Sequence, residues 1–543
     1  MALSGAAPRR LPERSFRFDG WSAAAIFAAL LVAAPLLSLP LAFLSPDAGS
    51  WWDVTSTVLP DVVRDTAIVA GGVGVGTLVL GTSLAALVSF YDFPARRWLD
   101  WALVLPLALP AYVMTFVYLG QLGPESELPV RTPGGAAVIL TLALYPYVYL
   151  LARAAFRSQS RSLVEVARSL GLSHGMAILR VAIPMARPAL AAGTLLAVME
   201  TLADFGSVQL LGVKTFTVAI YQVWFGAFDR LAATQLATLL MSVTVLILVL
   251  EHYFRRRQRF EQQSGRAPPP ERVRLRGVKA VLASLFPLAI VGIAFVDPVV
   301  QLIAWTGESW ADPLVRSGFG TWARNSLMLS TLTAVIAVSV AMTMVYGLRV
   351  SPSRVGRACA RIASAGYGVP GSVVAIAVLI SLAWVDDRLQ DGAGVVGVSL
   401  GLLFTGSALG MVFAYLVRFL SLGVQSLDAQ MTRISPHLDD AARSLGADRL
   451  EVMWRVHLPL MRLGILTAAL LVFVETMKEL PATVLLRPFG GDTLAVAVWQ
   501  STTESLWEAA ALPALAIVAV GIIPVGLLMW TLDRGGHTDP LAR

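Results

Sequence analysis

Acidic side chains occur inside two apolar stretches of the chain that read METLADFG and VETMKELP. The first stretch contains Glu200 and Asp204, and the second contains Glu475, Lys478 and Glu479. A charge at the centre of a bilayer costs about 2.5 to 3.5 kcal/mol on insertion scales, so we expect these side chains to face the protein interior or a water-filled path. Glu475 and Lys478 are spaced i,i+3, and a local ion pair is therefore an alternative role for them.

The chemistry that these side chains offer is that of oxygen ligands. An oxygen-rich, thiol-free lining suits a hard cation or a polar organic solute better than a soft metal. The single cysteine, Cys359, excludes an internal disulfide framework, and the five histidines are scattered, so we expect no tight metal site. A conduit must release what it admits, and a metal cargo therefore stays possible. The candidate pathway residues are Glu200, Thr201, Asp204, Glu475, Thr476 and Glu479.

The composition indicates that a bilayer is the main solvent of the chain. Of its 543 residues 56% are hydrophobic and only 14% are charged, and the mean hydropathy is +0.70. Apolar runs predict about twelve spans, and the fold is therefore expected to be all-α and polytopic. The expected starts of the spans lie near Trp21, Val62, Trp98, Ala136, Arg187, Ala233, Val278, Trp322, Ala358, Gly394, Arg462 and Ala509.

The distribution of basic residues predicts the orientation of the spans. Of the 42 Lys and Arg residues, 33 fall in the tails and in alternate loops, and the positive-inside rule then places both termini in the cytoplasm. These basic loops and tails account for the net charge of +7, and no nucleic-acid partner is therefore expected. The predicted segments are a tail (1–20), a first repeat (21–254), an unstructured basic linker containing APPP (255–277), a second repeat (278–533) and a tail (534–543).

The two halves of the chain are a tandem duplication. At an offset of 275, residues 165–204 and 440–479 share 13 identities in 40 positions. Upstream the offset is 260, which pairs Pro110 with Pro370 and predicts about 15 additional residues between the third and fourth spans of the second half. Six spans per repeat give both halves the same orientation, so we expect a pseudo-two-fold axis along the membrane normal with a pathway between the halves.

Each repeat contains one short polar element, EVARSLG in the first and DAARSLG in the second. Ser162 with Glu165, and Ser435 followed by Pro436, predict helix starts, whereas Gly171 and Gly446 predict helix ends in a left-handed conformation. The predicted product is a two-helix elbow at 162–184 and again at 435–459, suited to docking into a groove of a partner. The alternative is an amphipathic helix that lies on lipid headgroups.

The spacing of these elements resembles the EAA loop of ABC-importer permeases. Residues that fit the loop pattern are Glu165, Ala167, Gly171, Pro184, Asp440, Ala442, Gly446 and Pro459. The resemblance implies coupling helices that dock on two copies of a separate ATPase subunit. Val166 and Asp440 depart mildly from the family pattern. The chain has no Walker motif G-x-x-x-x-G-K-[ST], so the chain is expected to be no enzyme and to bind no cofactor, with ATP and Mg²⁺ used by the partner.

The stretches Met199 to Arg230 and Phe473 to Gln500 resemble the corresponding segments of fused ferric-iron importer permeases. This resemblance implies a bacterial inner-membrane protein that receives iron from a periplasmic or extracellular binding protein. Permeases for thiamine, polyamines, sulfate or molybdate share the architecture, and an ion-gradient-driven transporter or a scaffold without transport are the alternatives from other classes. Candidate contacts with the binding protein, which could instead be interfacial anchors, are Phe216, Tyr221, Trp224, Phe489 and Trp499.

Overall fold

The computed structural model describes residues 20–44, 49–123, 128–159, 166–261, 272–310, 313–351, 354–363, 366–394 and 401–535. Within these residues nine helices are long and apolar enough to cross a membrane. Three further pairs of helices, each bent at a short break, bring the number of spans to twelve when each pair counts as one. The all-α polytopic fold expected from the composition is therefore confirmed.

The first repeat contains thirteen helices and one short strand among the described residues. They are α1 (Gly20–Ser38), α2 (Gly49–Thr57), α3 (Leu59–Phe90), β1 (Tyr91–Asp92), α4 (Arg96–Ala102), α5 (Ala111–Leu122), α6 (Pro133–Ser158), α7 (166–169), α8 (His174–Ala177), α9 (Ile183–Met185), α10 (Arg187–Ala203), α11 (Gly206–Leu210), α12 (Phe216–Phe225) and α13 (Arg230–Glu261).

The helices of the second repeat follow the same order, but β2 (Val273–Arg274), which precedes them at the end of the linker, has no position equivalent to that of β1. These helices are α14 (Val278–Val291), α15 (Asp297–Ser309), α16 (Pro313–Val350), α17 (Arg354–Ala363), α18 (Gly371–Gly394), α19 (Ala408–Met431), α20 (Pro436–Ser444), α21 (Arg449–Val452), α22 (Leu458–Met477), α23 (Pro481–Leu486), α24 (Leu494–Thr503) and α25 (Trp507–Gly535).

The expected start of the tenth span near Gly394 is wrong. Gly394 ends α18, and α19 begins only after Ser407, whose side chain caps the helix by accepting a hydrogen bond from the Gly410 amide. The intervening stretch is apolar and rich in glycine and valine, so its composition does not distinguish it from a span. The duplication does distinguish it, because α6 begins at Pro133 and the offset of 275 places its equivalent at Ala408.

Details of local structure recur at the offset of 275 and confirm the repeat. A π-helical turn at Ile178–Ala182 has its equivalent at Met453–His457. The side chains of Ser173 and Asp448 both cap the short helix that precedes this turn. The additional residues of the second half lie partly in α18, which has 24 residues where α5 has 12. The extra length is therefore an extension of one helix into the following loop.

The first and last spans of each repeat pack against the opposite repeat. In the first repeat α1 contacts α16, α17 and α18, and α13 contacts α18. The second repeat makes the equivalent contacts, because α14 contacts α4 whereas α15 and α25 contact α5. The repeats are consequently interlocked in space rather than placed side by side as two separate bundles.

The segment predicted as an unstructured linker is ordered at both flanks. Its first residues, 255–261, continue α13, and β2 pairs in parallel with β1 so that Tyr91 faces Val273. The Leu275 amide also donates a hydrogen bond to the Asp92 carbonyl at 2.9 Å. The APPP sequence lies outside the described residues. This backbone pairing holds the end of the linker beside the loop between α3 and α4. The proline-rich composition of the linker did not indicate such pairing.

Candidate functional site

Equivalent residues of both repeats line one cavity of about 120 Å³. Glu200 and Asp204 come from the end of α10, and their equivalents Glu475 and Glu479 come from the end of α22. The cavity lies where the broken span α4–α5 meets the two short helices α11 and α23. It is large enough for several water molecules, and a polar cavity of this size is expected to be hydrated. The structure thus brings the four candidate carboxylates together.

The carboxylates at the ends of α10 and α22 begin the short helices that follow. Asp204 Oδ1 accepts hydrogen bonds from the Ser207 amide at 3.0 Å and from the Val208 amide at 3.2 Å, and Oδ2 accepts from the Ser207 hydroxyl at 2.8 Å. Glu479 Oε1 accepts from the Ala482 amide at 2.9 Å at the equivalent position. Carboxylates satisfy unpaired amides at helix starts, which explains their place in an apolar sequence.

Two bases of the second repeat share the cavity with these carboxylates. The Lys478 ammonium lies 2.8 Å from Glu475 Oε1, so the ion pair considered from the i,i+3 spacing forms, and both residues also line the cavity. Arg418 of α19 is ion-paired with Glu479, and both side chains are buried. Gly371 permits this pair, because a Cβ atom there would collide with Arg418 and Glu479.

Sequence reasoning missed Arg418 because the early start of the tenth span assigned this residue to a loop. The offset of 275 aligns Arg418 with Ala143 of α6 and would have placed it in the middle of a helix. Three tyrosines were also missed. Tyr112 and Tyr147 line the cavity, and the hydroxyl of Tyr367 lies beside Glu200. An isolated tyrosine in an apolar helix carries no signal of its own, since such residues are common in cores.

The two candidate threonines stand apart from the cavity lining. The Thr201 hydroxyl donates to the Ala197 carbonyl and the Thr476 hydroxyl donates to the Val472 carbonyl, each at 2.8 Å. Both side chains are buried in their own helices. Their hydroxyls therefore bond to backbone carbonyls of α10 and α22. Both threonines belong to the last turns of these helices, just before the cavity residues Asp204 and Glu479.

The two predicted coupling loops, 162–184 and 435–459, have equivalent glycines after their first short helices. Gly171 and Gly446 have φ angles of +92° and +90°, which confirms the predicted left-handed helix ends. The Ser435 side chain accepts a hydrogen bond from the His437 amide and caps α20 as predicted. Glu165 and Ser162 lie outside the described residues. Ala167 is buried, whereas Asp440 is exposed.

The second coupling loop is anchored by the residue that precedes Asp440. Asp439 is buried and lies 2.8 Å from the Arg349 Nε at the end of α16 and 3.0 Å from His457 Nε2 in the π-helical turn. Arg349 also donates a hydrogen bond to the Ile434 carbonyl at 3.0 Å. Ala442 is half-buried, and Pro184 and Pro459 follow the two π-helical turns as the next spans begin. The ion pair between Arg349 and Asp439 joins α20 to the end of α16.

Of the five aromatic residues considered as contacts of a binding protein, Phe489 alone is fully exposed. Phe216 and Trp499 are buried, and Tyr221 and Trp224 are half-buried. The Tyr221 and Trp499 rings lie 6.0 Å apart across the two repeats, and the Trp499 indole N–H donates to Gln209 Oε1 at 2.8 Å. These two side chains thus pack between the repeats, beside the cavity residue Phe205.

The chain resembles known transport proteins over most of its length. The Fe(3+)-transport system permease protein FbpB 2 of Haemophilus influenzae is 29% identical over 474 residues, which are 87% of this chain and 90% of that protein. The ferric transport system permease protein FbpB of Actinobacillus pleuropneumoniae is 22% identical and aligns with 78% of this chain and 64% of its own length.

Relatives of half the length align with one repeat. The sulfate transport system permease protein CysT of Salmonella typhimurium is 26% identical over 242 residues, which are 41% of this chain and 86% of that protein. A solved bacterial ABC transporter that imports the acidic polysaccharide alginate aligns with 47% of this chain and 95% of its own, at 16% identity and a TM-score of 0.35.

One family profile matches the chain twice, once in each repeat. The matched residues are 77–260 and 339–535, which together cover well over half of the chain. Members of this family are multi-pass membrane components of transporters that work with a binding protein and an ATPase, and they are not enzymes themselves. The chain therefore belongs to the family of binding-protein-dependent transport system inner membrane components.

Proposed function

We propose that this chain forms the translocation pathway of an ABC importer for ferric iron. The observation that carries the proposal is the single cavity to which both repeats contribute carboxylates. The names of the relatives from Haemophilus influenzae and Actinobacillus pleuropneumoniae, which are ferric permeases, support the choice of cargo. Carboxylate oxygens are hard ligands and suit a hard trivalent cation.

The charge of the cavity favours a cation over the anions that some relatives transport. Four carboxylates line it, Glu200, Asp204, Glu475 and Glu479, against the two bases Arg418 and Lys478. With every group ionised, the lining carries a net charge of −2, which repels sulfate and molybdate. A small organic cation such as thiamine or a polyamine is the second candidate cargo, because the same charge attracts it.

We assign the two coupling loops to contacts with a dimer of a separate ATPase subunit. Each loop exposes a leucine beside its glycine, with Leu170 80% and Leu445 89% exposed. An exposed leucine at equivalent positions of both repeats could insert into a hydrophobic groove of a partner. ATP and Mg²⁺ would be bound by that partner, and this chain would bind no cofactor of its own.

We place the coupling loops and both termini on the cytoplasmic side of a bacterial inner membrane. The positive-inside rule supports this orientation, because the alternate loops that contain most basic residues would then lie on the cytoplasmic side. Phe489, which is exposed in the loop between α23 and α24, would then lie on the opposite side. That side would receive the iron-loaded binding protein.

The proposal is tested by transport in reconstituted vesicles that contain this chain, its ATPase and its binding protein. We expect uptake of radioactive iron that requires ATP and the binding protein and that continues when ion gradients are collapsed. Uptake that persists without the ATPase but stops with the gradient would show a secondary transporter. Competition by thiamine or spermidine, with no uptake of iron, would identify the second candidate cargo.

A further inference from the structure

The two walls of the cavity carry different chemistry although they descend from one duplicated sequence. The acidic positions are kept, since Glu200 matches Glu475 and Asp204 matches Glu479 at the offset of 275. The basic positions are not kept. Arg418 and Lys478 of the second repeat stand where the first repeat has Ala143 and Ala203, and all four residues line the cavity.

The carboxylates of the second wall are neutralised by their own repeat. Glu475 is paired with Lys478 at 2.8 Å, and the buried Glu479 is paired with Arg418 and also accepts the Ala482 amide. A buried ion pair separates only at a large cost, because each charge loses its partner in a medium of low dielectric constant. These two carboxylates are therefore poor ligands for an arriving cation.

The carboxylates of the first wall have no such partner. Asp204 accepts hydrogen bonds from neutral donors of Ser207 and Val208 only. Within the part of the chain that the structure describes, no Lys or Arg lies within ion-pair distance of Glu200 or Asp204. Their negative charge is consequently available to a cargo in the cavity.

A phenol of the first repeat points to a ligand at the same wall. Tyr112 is 6% exposed and lines the cavity, and its hydroxyl has no hydrogen-bond partner among the described residues. It lies within electrostatic reach of Glu479 and of Asp204. A buried hydroxyl without a partner is costly, and such a group in a cavity is expected to bind water or cargo. Its equivalent in the second repeat is Ser372, so the phenol is specific to the first wall.

We propose that the first-repeat wall, formed by Glu200, Asp204 and the Tyr112 hydroxyl, binds the cargo as a bare hard cation. The second wall, whose two carboxylates are neutralised by Lys478 and Arg418, has no net charge and leaves the ion on the first wall. This inference rests on the proposed function. It assigns the two repeats unequal roles and makes the cargo an unchelated ion, because an anionic chelate would be repelled by the free carboxylates. Two carboxylates and one phenol form an incomplete ligand set, as suits a site that must release its ion.

The test measures iron retained by the purified full-length chain in lipid nanodiscs. The probe is iron(III) nitrilotriacetate, and the readouts are iron that remains after gel filtration and the visible absorption of an iron(III) phenolate, which forms when the phenol releases its proton. We expect Glu200→Gln, Asp204→Asn and Tyr112→Phe each to lower retention by roughly ten- to a hundredfold, the range for loss of a group that supports a metal site. Tyr112→Phe should also remove the phenolate absorption.

Matched variants separate the two walls. The double variant Glu475→Gln with Lys478→Met removes an ion pair without a change of net charge, and it should retain iron as the wild type does. Ala203→Lys places an ammonium three residues after Glu200, as Lys478 follows Glu475, and should abolish retention, whereas Ala203→Met, of similar length, should not. Thermal unfolding midpoints and co-purification of the ATPase confirm that each variant is folded.

Two results would overturn the assignment. If the charge-neutral double variant loses as much iron as Glu200→Gln, both walls bind the ion and the asymmetry has no role. If Glu200→Gln, Asp204→Asn and Tyr112→Phe all retain iron normally while the complete importer still takes up radioactive iron, the site is wrong and the proposed function stands. If the complete importer takes up no iron, the proposed function fails and this inference fails with it.

Discussion

At the residue scale, glycine decides the shape of the coupling loops. Gly171 and Gly446 have positive φ angles, and a Cβ atom at either position would meet no neighbour within 4 Å. The requirement is therefore one of backbone conformation and not of space. An L-residue with a side chain pays about 1 to 2 kcal/mol for this conformation, and asparagine tolerates it best.

Gly446→Val should weaken association with the ATPase, whereas Gly446→Asn should nearly preserve it. A penalty of about 1 to 2 kcal/mol corresponds to roughly a five- to thirtyfold loss of the native loop conformation. Co-purification of the ATPase from membranes with each variant measures the effect. Equal co-purification with valine and asparagine would contradict a conformational requirement at this position.

Leu170→Ser combined with Leu445→Ser should abolish stable binding of the ATPase without destabilising the chain. Burial of one leucine side chain contributes about 1.5 to 3 kcal/mol to an interface, and both side chains are exposed in the isolated chain. Leu402, which is 67% exposed in the loop between α18 and α19, provides the control substitution Leu402→Ser. The same loss of ATPase with the control would show a general defect of the membrane protein.

At the element scale, small residues let α3 and α10 approach α6. A Cβ atom at Gly81 would lie 2.7 Å from the Val148 Cβ and 2.9 Å from the Tyr149 amide nitrogen, and one at Gly193 would lie 2.9 Å from the Val148 Cα. Close contact between backbones replaces the hydrophobic effect as a source of helix association in membranes. The glycine-rich middle of α3 has the same role at Gly72 and Gly76.

Gly81→Val should lower the thermal unfolding midpoint of the purified protein, and Gly71→Val should leave it nearly unchanged. Overpacking at a helix contact costs about 1 to 3 kcal/mol, and a Cβ atom at Gly71 in the same helix would meet nothing within 4 Å. Thermal unfolding in detergent compares the two variants. A similar shift for both would indicate an effect of valine on the helix itself and not on its contact with α6.

At the scale of the whole molecule, the long helix α16 contacts both the loop that exposes Phe489 and the helix α20. Near its start, Asn325 donates hydrogen bonds to the Gly490 and Asp492 carbonyls in the loop that exposes Phe489. At its end, Arg349 binds Asp439 of the coupling helix. These residues are about 36 Å apart along an α-helix, which is enough to span the hydrocarbon core. One long helix thus joins α20 to the loop between α23 and α24.

Cysteine labelling tests the orientation that follows from this arrangement. Cys359 is the only cysteine and is buried, so Cys359→Ser provides a background for Phe489→Cys and Leu445→Cys. An impermeant maleimide should label the first variant in intact spheroplasts and the second only in inverted vesicles. The reverse pattern would contradict the proposed cytoplasmic position of both termini and of the coupling loops.

The sequence by itself determined the membrane class, the order of twelve spans, the duplication and the conformation of the coupling-loop glycines. Each of these rests on local signals, namely hydropathy, spacing and helix caps, which the chain carries before it folds. Only the tertiary structure decided that Arg418 neutralises Glu479, that Tyr221 and Trp499 pack between the repeats, and that α1 and α13 contact the opposite repeat. Those facts depend on which residues meet when the helices pack, within a repeat or across the two repeats, and the partner of each side chain is separated from it by a long stretch of sequence.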